Sequence, residues 1–294
     1  MLEEFDPSEL KKLYKPPNDS NGEDNGQITI VGGSSLFHGA PILALKVASR
    51  MVDMVFFATP EKSVGLVAES LKSKLSSFIW IPWEDTEKYI EKSDAVLIGP
   101  GLMRYGAEQT PHGMDKHVCD EVCEVTRNIT KDLLLGFPDK KWVIDAGSLQ
   151  TMEESWIPDG AILTPNEKEF ELLFKFKVQK SNLKVTDQCL MLIQEKAREF
   201  KCTIVLKGPT TLVCAPDRCI EVNGGNPGLT KGGTGDVQAG LTVALLAKND
   251  PLLAAVSAAY LIKETAYDLY KIKATYYNSD DLADEISIVL KKYI

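Results

Sequence analysis

A glycine-rich turn followed directly by a carboxylate is the part of this sequence best suited to chemistry. Residues 223–240 read NGGNPGLTKGGTGDVQAG, with Asp236 just after the last glycine of the turn, and the apolar segment 237–247 follows. This order predicts a turn at the N-terminus of a buried helix, where free backbone N–H groups and the helix dipole bind anions. A carboxylate repels a bound phosphate, so we interpret Asp236 as a base that takes a proton from a group attacking the phosphate. The competing interpretation is a helix cap, a role that suits Asp.

Two well-known phosphate-binding motifs do not fit this turn. A Walker loop needs Lys and then Ser or Thr after its last glycine, whereas here Asp236 follows Gly235. A dinucleotide fingerprint needs a third glycine at the position that Gln238 occupies. The turn therefore predicts an anion site of another kind, with a base placed beside it.

Composition narrows the class of protein. The 294 residues are 44% hydrophobic and carry a net charge of −9, which fits a globular protein with a sizeable core. This charge argues against nucleic acid or an anionic membrane surface as the main partner. The apolar runs are too short or too interrupted to span a bilayer, and the acidic first residues lack a signal-type apolar segment. A cytoplasmic protein is expected, with its six cysteines reduced.

The spacing of cysteine and histidine does not predict a metal site. Cys119 and Cys123 lie one helical turn apart with His117 nearby, but no further pair of ligands completes a zinc site. Ordinary thiols are the simpler interpretation, and we assign no metal-ligating residue from the sequence.

Strands and helices alternate along most of the chain. Residues 1–26 are polar, end in KPPNDSNGEDNG and are expected to form a lead-in that is a linker or a disordered tail. The alternative is that Leu2, Phe5, Leu10 and Leu13 form a short docking helix. Short apolar runs follow, among them 27–31, 54–59 and 95–98, and glycine turns or segments with helical periodicity separate them. The alternation predicts an α/β fold with one domain over residues 27–294, built on a central, mostly parallel β-sheet with helices on both faces.

Turns that carry chemically useful residues follow the predicted strands. They cover residues 37–40, 99–101, 145–147, 164–169, 207–211 and 232–236. Each turn alone has a structural explanation, such as a Pro-Gly turn or a cap. Because the carboxyl ends of parallel strands meet at one rim of a sheet, the turns together predict a substrate cleft. Helices are expected to start near Ala40 and to cover residues 112–134.

Six segments occur in an order that is typical of one protein family. They read GGSSLFHGAPILA, LIGPGL, IDAGSL, LTPNEKEF, VLKGPTTLV and NGGNPGLTKGGTGDVQAG, and they cover nearly all of residues 27–270. The chain resembles the carbohydrate-kinase-related dehydratases that repair hydrated NADH and NADPH, within the ribokinase-like superfamily. The GTGD segment alone indicates only a ribokinase-like protein, whereas the GAP turn, the GPG turn and the N-x-G-N stretch are more specific. The sequence departs from the family at Asn166, where many members have His.

This resemblance implies an ADP- or ATP-dependent dehydration of the hydrated nicotinamide ring, NADHX or NADPHX, to NADH or NADPH. Asp236 would take the proton from the 6-hydroxyl group, whose oxygen would attack the terminal phosphate of the nucleotide, with Mg²⁺ offsetting the charge. The phosphate would then leave, because it is a better leaving group than hydroxide. By matching positions, the hydrate would contact Ala40, Gly101, Asn166 and Asp236. The nucleotide would contact Lys207, Gly208, Pro209, Thr210, Thr211, Gly233, Thr234 and Gly235.

The resemblance also has implications for assembly and domain content. Family members tend to form homo-oligomers, so a homo-oligomer, such as a tetramer, is expected here. Larger members carry an epimerase domain ahead of the dehydratase. Residues 1–26 are too few to form such a domain, so no epimerase activity is expected from them.

Two other functions compete with the dehydratase. A ribokinase-like small-molecule kinase, acting on a vitamin precursor or a sugar, would use the same base and anion site but leave the phosphate on its product. A nucleotide-binding module without turnover would gain nothing from a carboxylate beside the phosphate, so Asp236 argues against it. Product analysis separates the dehydratase from the kinase, since dehydration releases inorganic phosphate and a kinase gives a stable phosphorylated product.

Overall fold

The computed structural model of the chain describes residues 2–104, 121–178, 180–181 and 184–294. The strands are β1 (Leu2–Glu4), β2 (Gln27–Val31), β3 (Met54–Ala58), β4 (Ile79–Trp80), β5 (Ala95–Ile98), β6 (Lys141–Ile144), β7 (Ile162–Leu163), β8 (Lys180–Ser181), β9 (Lys184–Val185), β10 (Thr203–Leu206), β11 (Thr211–Cys214) and β12 (Cys219–Val222). The helices are α1 (Gly39–Ala48), α2 (Lys62–Leu71), α3 (Thr86–Lys92), α4 (Glu121–Gly136), α5 (Ala146–Thr151), α6 (Glu167–Phe174), α7 (Asp187–Glu199), α8 (Thr234–Lys248), α9 (Pro251–Lys273) and α10 (Ser279–Leu290).

Ten of the strands form one sheet, in the order β1-β12-β11-β10-β7-β6-β5-β2-β3-β4, and β8 pairs with β9 separately. All neighbours from β10 to β4 are parallel, whereas β11 runs antiparallel to both β10 and β12. Most of the parallel strands are short apolar runs that are buried on both faces, as parallel sheets require. The predicted α/β fold with a mostly parallel sheet is confirmed.

Helices cover both faces of the main sheet. One core lies between the sheet and α1, α2, α8, α9 and α10, and a second lies between the opposite face and α3 to α7. Helix α8 is buried from Val237 to Ala247, which explains why this stretch is almost entirely apolar.

A glycine lets α8 approach α1 closely. A Cβ atom added at Gly240 would lie 2.4 Å from the carbonyl oxygen of Ala44, so the two helix backbones touch at this point. At the start of α8, a Cβ added at Gly233 would lie 2.4 Å from Leu43 Cδ1. The contact between the helices therefore places the start of α1, which begins close to Ala40 as predicted, next to the glycine turn.

The polar lead-in packs against the body of the protein. Strand β1 pairs in parallel with β12, a 3-10 turn follows at Pro7–Lys12, and Phe5, Leu10 and Leu13 are buried. The expectation of a linker or disordered tail is therefore wrong for residues 2–13. The alternative of a docking helix is right about the burial of Phe5, Leu10 and Leu13, but Leu2 is exposed in β1 and the helical part is a 3-10 turn. Overall composition hides this docking, because the apolar side chains are diluted by polar neighbours. The domain boundary at residue 27 stays a prediction.

The cysteines also differ from expectation. Cys214 and Cys219 form a disulfide where β11 turns into β12, and Cys123 is disulfide-bonded as well. The prediction that all six cysteines are reduced is therefore wrong for these three. The sequence could not show this, because the pairing of Cys214 with Cys219 depends on the antiparallel register that sets the two residues opposite each other.

Three other expectations concern parts of the chain that are only partly described. The helix predicted over residues 112–134 is described from Glu121 to Gly136, whereas His117 and Cys119 lie outside the described residues. Within the described ranges, no group of His, Cys, Asp and Glu side chains is placed to hold a metal ion by itself. Within the same ranges, no helix combines the length and apolar character needed to cross a membrane.

Candidate active site

The predicted turns meet at the carboxyl rim of the parallel strands. Backbone hydrogen bonds continue the strand ladder past the strand ends: Gly99 N–H donates to Val31, Asp145 to Ile98, Thr164 to Ile144 and Lys207 to Pro165, over 2.9–3.1 Å. These bonds fix the register of four turns, so residues that are distant in sequence lie side by side. The predicted common rim is confirmed for these turns.

An ion pair lies at the centre of this rim. Lys207 Nζ donates to Asp145 Oδ1 over 2.8 Å, and the Thr164 hydroxyl donates to the same oxygen over 2.8 Å. Asp145 is buried, so its charge needs such partners. The ammonium group also lies over the start of α8, since a Cβ added at Gly235 would be 3.3 Å from Lys207 Nζ. Lys207 therefore connects the end of β10 to the predicted anion site.

Three carboxylates surround this lysine. Burial alone would lower the pKa of Lys207, but the charges of Asp145, Glu169 and Asp236 outweigh it, and the pKa lies above its ordinary value. Burial, and then the charge of Asp145, raises the pKa of Glu169 despite the opposing effect of Lys207. The cluster is therefore short of positive charge, which favours protonation of Glu169 and Asp236.

Asp236 has the properties of a base that works near neutral pH. It is half-buried in the first turn of α8. Burial, and then the charge of Asp145, raises the pKa of Asp236 to about 7, although Lys207 acts in the opposite direction. A carboxyl group with such a pKa can take up and release a proton at neutral pH. The cap interpretation is wrong, because the residue at the cap position is Gly233 and Asp236 lies three residues further along, in the first turn of the helix.

The turn before α8 has a conformation suited to anion binding. Gly233 has φ +93°, in the left-handed region that glycine adopts most easily. The Thr234 hydroxyl donates to the carbonyls of Leu229 and Lys231 over 2.8 and 3.0 Å, which closes the turn. The first backbone N–H groups of a helix have no partner inside that helix, so they are available to a ligand.

A cavity of about 640 Å³ opens beside the helix start. This volume is in the range of small-molecule and cofactor sites. Its lining includes predicted site residues, namely Asn166, Lys207, Gly208, Pro209, Thr211, Thr234 and Gly235. It also includes residues of the 224–230 loop and, from α8 and α9, Gln238, Ala259, Ile262 and Lys263.

Lys263 fastens two loops of the cavity to α9. Its ammonium group donates to the carbonyls of Gly208, Pro209 and Gly224 over 3.2, 2.6 and 3.3 Å. Burial lowers the pKa of Lys263 to about 8. Since an ammonium group has three donors and three carbonyls are in reach, the arrangement indicates a role in holding the loops.

The turn at residues 99–101 packs against the start of α1. Gly101 has φ +73°, and a Cβ added there would lie 2.5 Å from the Phe37 carbonyl oxygen and 2.9 Å from Pro41 Cδ. Gly33 N–H donates to the Pro100 carbonyl over 2.9 Å. The structure therefore brings Gly101 into the neighbourhood of Ala40, one residue before Pro41, in a region that does not line the cavity described above.

The predicted site residues thus fall into two adjoining groups. Asn166, which the resemblance assigns to the hydrate, lies on the cavity wall with predicted nucleotide residues. The neighbouring group consists of Ala40, at the start of α1, and Gly101, in the turn that packs against this helix start. Thr210, Gly233 and Asp236 are not among the residues that line the cavity. Asp236 reaches the charged cluster instead, close enough to Lys207 to shift its pKa. The assignment of each residue to one ligand stays a prediction.

Sequence reasoning missed three residues of this site. Gln238 and Lys263 line the cavity, and Glu169 belongs to the charged cluster. A usable signal exists for Gln238, which is a polar residue inside the apolar segment 237–247, whereas Lys263 is followed directly by Glu264 and Thr265 and has no such signal. Glu169 lies in a predicted turn, but its place near Asp236 depends on the sheet register.

The sheet, the helix start and the cavity define a ribokinase-like α/β protein. The solved structure of ADP/ATP-dependent NAD(P)H-hydrate dehydratase from Bacillus subtilis, co-crystallised with ATP and Mg²⁺, shares this fold. Its TM-score is 0.76 at 22% identity, over 100% of this chain and 99% of that chain.

The chain belongs to the NAD(P)H-hydrate dehydratase family, whose sequence model matches residues 28–288. It is 32% identical, over 96% of its length, to the bifunctional NAD(P)H-hydrate repair enzyme Nnr of Methanocaldococcus jannaschii, of which it covers 52%. It is 30% identical, over its whole length, to the ADP-dependent (S)-NAD(P)H-hydrate dehydratase of Nitrosopumilus maritimus, of which it covers 96%. The chain therefore spans about half of the first relative and nearly all of the second.

Proposed function

We propose that this protein uses ADP or ATP to dehydrate NADHX and NADPHX and so restores NADH and NADPH. The observation that carries the proposal is Asp236, a carboxyl group with its pKa raised to about 7, at a helix start beside Lys207 and a cavity of about 640 Å³. The names of its relatives support the substrate class.

The proposed chemistry is a transient phosphorylation. Asp236 takes the proton of the 6-hydroxyl group, and the oxygen forms a bond to the terminal phosphorus while the bridging P–O bond of the nucleotide breaks. The lone pair of the ring nitrogen then expels the phosphate as the C–O bond breaks, which leaves an iminium ion. Loss of a proton from C5 returns the electron pair to the nitrogen and forms the C5–C6 double bond of the dihydronicotinamide. The net change is loss of water from the hydrate and hydrolysis of one phosphoanhydride bond, with release of inorganic phosphate.

Mg²⁺ is part of the proposal. Asp145, Glu169 and Asp236 provide carboxylate oxygens, the ligand type that Mg²⁺ prefers, and they outnumber Lys207 as charges. No group in the described part of the chain holds a metal by itself, so the ion would be shared with the nucleotide phosphates. When bound, it would offset the repulsion between these phosphates and the carboxylates.

Ligand contacts are assigned as the resemblance implies. The predicted nucleotide residues that line the cavity support a nucleotide site there; they are Lys207, Gly208, Pro209, Thr211, Thr234 and Gly235. We assign Thr210 and Gly233, which adjoin them in sequence, to the same ligand. We assign the hydrate to Ala40, Gly101 and Asp236, with Asn166 at the boundary between the two ligands. The side-by-side starts of α1 and α8 support this division.

Location and assembly complete the proposal. We propose a cytoplasmic protein, since its substrates are the cell's own nicotinamide cofactors. We also propose a homo-oligomer, for which exposed apolar residues at the β4 edge of the sheet, Leu66, Ile79 and Trp80, offer a contact surface. Light scattering coupled to gel filtration tests this; a monomer at all concentrations would contradict it.

The central test is incubation with freshly prepared NADH hydrate and either ADP or ATP. We expect the dihydronicotinamide absorbance to return together with inorganic phosphate. Asp236→Asn should lower turnover by about a hundredfold or more while the protein stays folded, and Asp217→Asn, a change at an exposed carboxylate, should have no effect. A stable phosphorylated product without return of absorbance would support the kinase instead.

A further inference from the structure

One buried polar side chain of the cavity lacks a hydrogen-bond partner. Gln238 is 7% exposed and lines the cavity, and its Nε2 atom has no partner in the part of the chain that the structure describes. Buried amide groups are nearly always hydrogen-bonded in native proteins. An unpartnered amide in the wall of a ligand cavity therefore indicates that the ligand supplies the partner.

The position of Gln238 on α8 directs it towards the cavity. It lies three and four residues after Gly235 and Thr234, which also line the cavity, so all three share one face of the helix. Apart from Gln238, the polar side chain in the interior of α8 is Thr242, whose hydroxyl donates to the Gln238 carbonyl over 2.7 Å.

Neighbouring polar groups of the wall are already engaged. Thr234 donates to Leu229 and Lys231, and Lys263 donates to three loop carbonyls. The Asn226 amide donates to the Ala266 carbonyl over 2.8 Å and accepts from Gly228 N–H and the Tyr277 hydroxyl, both over 2.9 Å. Among these polar side chains of the cavity wall, Gln238 is therefore the buried one whose N–H donor has no partner among the described residues.

The surroundings of Gln238 suit a nucleobase. Lys207 and Gly235 form the end of the cavity that is suited to phosphate, whereas Ala259 and Ile262 of α9 add apolar surface. A purine has apolar faces and a polar edge, so it needs an apolar wall together with one hydrogen-bonding group. A carboxamide offers a donor and an acceptor side by side, which match the 6-amino group and the adjacent ring nitrogen of adenine.

We propose that Gln238 is a specificity-determining residue that hydrogen-bonds the polar edge of the adenine base, with the base lying against Ala259 and Ile262. This inference rests on the proposed function, because it takes the cavity to be the site of ADP or ATP. It assigns to the chain a base-reading contact in addition to the phosphate-binding turn.

The test compares dissociation constants by calorimetry for the wild-type chain, Gln238→Leu and Gln238→Met. We expect both variants to bind ADP about tenfold more weakly, the usual scale for one buried hydrogen bond, and to bind inorganic pyrophosphate as the wild type does. The 1-deaza and 7-deaza analogues of ADP each lack one of the two ring nitrogens beside the 6-amino group. The analogue without the nitrogen that accepts from Gln238 Nε2 should bind the wild type about as weakly as ADP binds the variants, and it should lose little further affinity in the variants.

Thr265→Val is the matched control. The Thr265 hydroxyl is also buried without a partner among the described residues, but it does not line the cavity. Removing it should leave ADP affinity unchanged. Either Gln238 variant, once shown by thermal melting to be folded, overturns the inference if it binds ADP as tightly as the wild type or loses pyrophosphate affinity equally. A wild-type chain that binds no adenine nucleotide would instead contradict the proposed function.

Discussion

At the scale of single residues, the site is defined by an imbalance of charge around Lys207. Asp145, Glu169 and Asp236 act on this one ammonium group. Asp145 is paired with it directly, so Asp236 is left as the acid whose pKa rises to about 7. The burial and neighbouring negative charge that make Asp236 a usable base also destabilise its charged form when no ligand is bound.

The first prediction concerns the pH dependence of turnover. Asp236 must be deprotonated to accept a proton, so kcat/KM should be constant above pH 7 and should fall about tenfold per pH unit below the pKa of about 7. A pH–rate profile measured between pH 5 and 9 checks this. A profile that stays flat down to pH 5 would show that the base has an ordinary carboxylate pKa.

Stability gives an independent measure of the same pKa. Burial raises the pKa of Asp236 in the folded protein to about 7, above the ordinary Asp value of about 4, so between about pH 4 and 7 the folded protein binds more protons than the unfolded chain. The contribution of this group to stability is therefore fully present at low pH and is lost as the pH rises to about 7. Asp236→Asn should raise the free energy of unfolding by roughly 1 to 2 kcal/mol at pH 8 and have little effect at pH 4.

The second prediction concerns Asn166, where many family members have His. Its side-chain oxygen accepts from Glu169 N–H over 3.0 Å, and Glu169 accepts from Asn166 N–H over 2.9 Å, which forms a capping box for α6. Asn166→His should keep turnover within about threefold and lower stability by about 0.5 to 1 kcal/mol, because His is a weaker cap.

A matched variant exists for this substitution. Asp250 caps α9 by accepting from Leu252 N–H over 2.9 Å, and it follows the C-terminal end of α8, at the opposite end of that helix from the glycine turn. Asp250→His should also lower stability through loss of a cap and leave kinetic constants unchanged. A folded Asn166→His variant without activity would mean that Asn166 makes a contact with the ligand that His cannot replace.

At the scale of elements, the contact of α1 with α8 decides how the two ligand regions meet. The third prediction is that Gly240→Ala lowers stability by about 1 to 3 kcal/mol and lowers kcat, because the new Cβ would lie 2.4 Å from the Ala44 carbonyl and push α1 outwards. Ala is the better helix former, so helix propensity alone predicts the opposite sign.

Gly136→Ala is the control for the preceding substitution. Gly136 is the last residue of α4, and a Cβ added there would meet nothing within 4 Å. Thermal melts and steady-state kinetics of both variants should show a loss only for Gly240→Ala. Equal stability in the two variants would mean that α1 and α8 can separate without consequence.

An element can be predicted from the sequence when the residues that cause it to form lie within it or next to it in the chain. The strand at Ala95–Ile98 follows from a buried apolar run, and the start of α9 follows from the Asp250 cap and Pro251. The glycine turn before α8 follows from residue types alone. By contrast, Lys263 acquires its role from the packing of α9 against the loops at Gly208–Pro209 and Gly224, which no local pattern encodes.

At the scale of the whole molecule, the lead-in supports the helix that forms one wall of the cavity. Phe5 N–H donates to the Glu221 carbonyl over 3.0 Å, and the Phe5 ring packs on Tyr260 of α9, with ring centroids 5.1 Å apart. Tyr14 N–H donates to the Asn249 side chain over 2.7 Å, just before α9 begins. The segment therefore runs from the sheet edge across α9, the helix that carries Ile262 and Lys263 to the cavity.

The fourth prediction tests whether this segment is part of the folded unit. Leu10 is fully buried, so Leu10→Ala should lower the free energy of unfolding by about 2 to 4 kcal/mol, from lost burial and the cavity left behind. Leu2→Ala, at a side chain that is 37% exposed, should cost less than about 0.5 kcal/mol. Denaturant unfolding of both variants checks this. If residues 1–26 were only a lead-in to a domain that begins at residue 27, Leu10→Ala would unfold at the same denaturant concentration as Leu2→Ala.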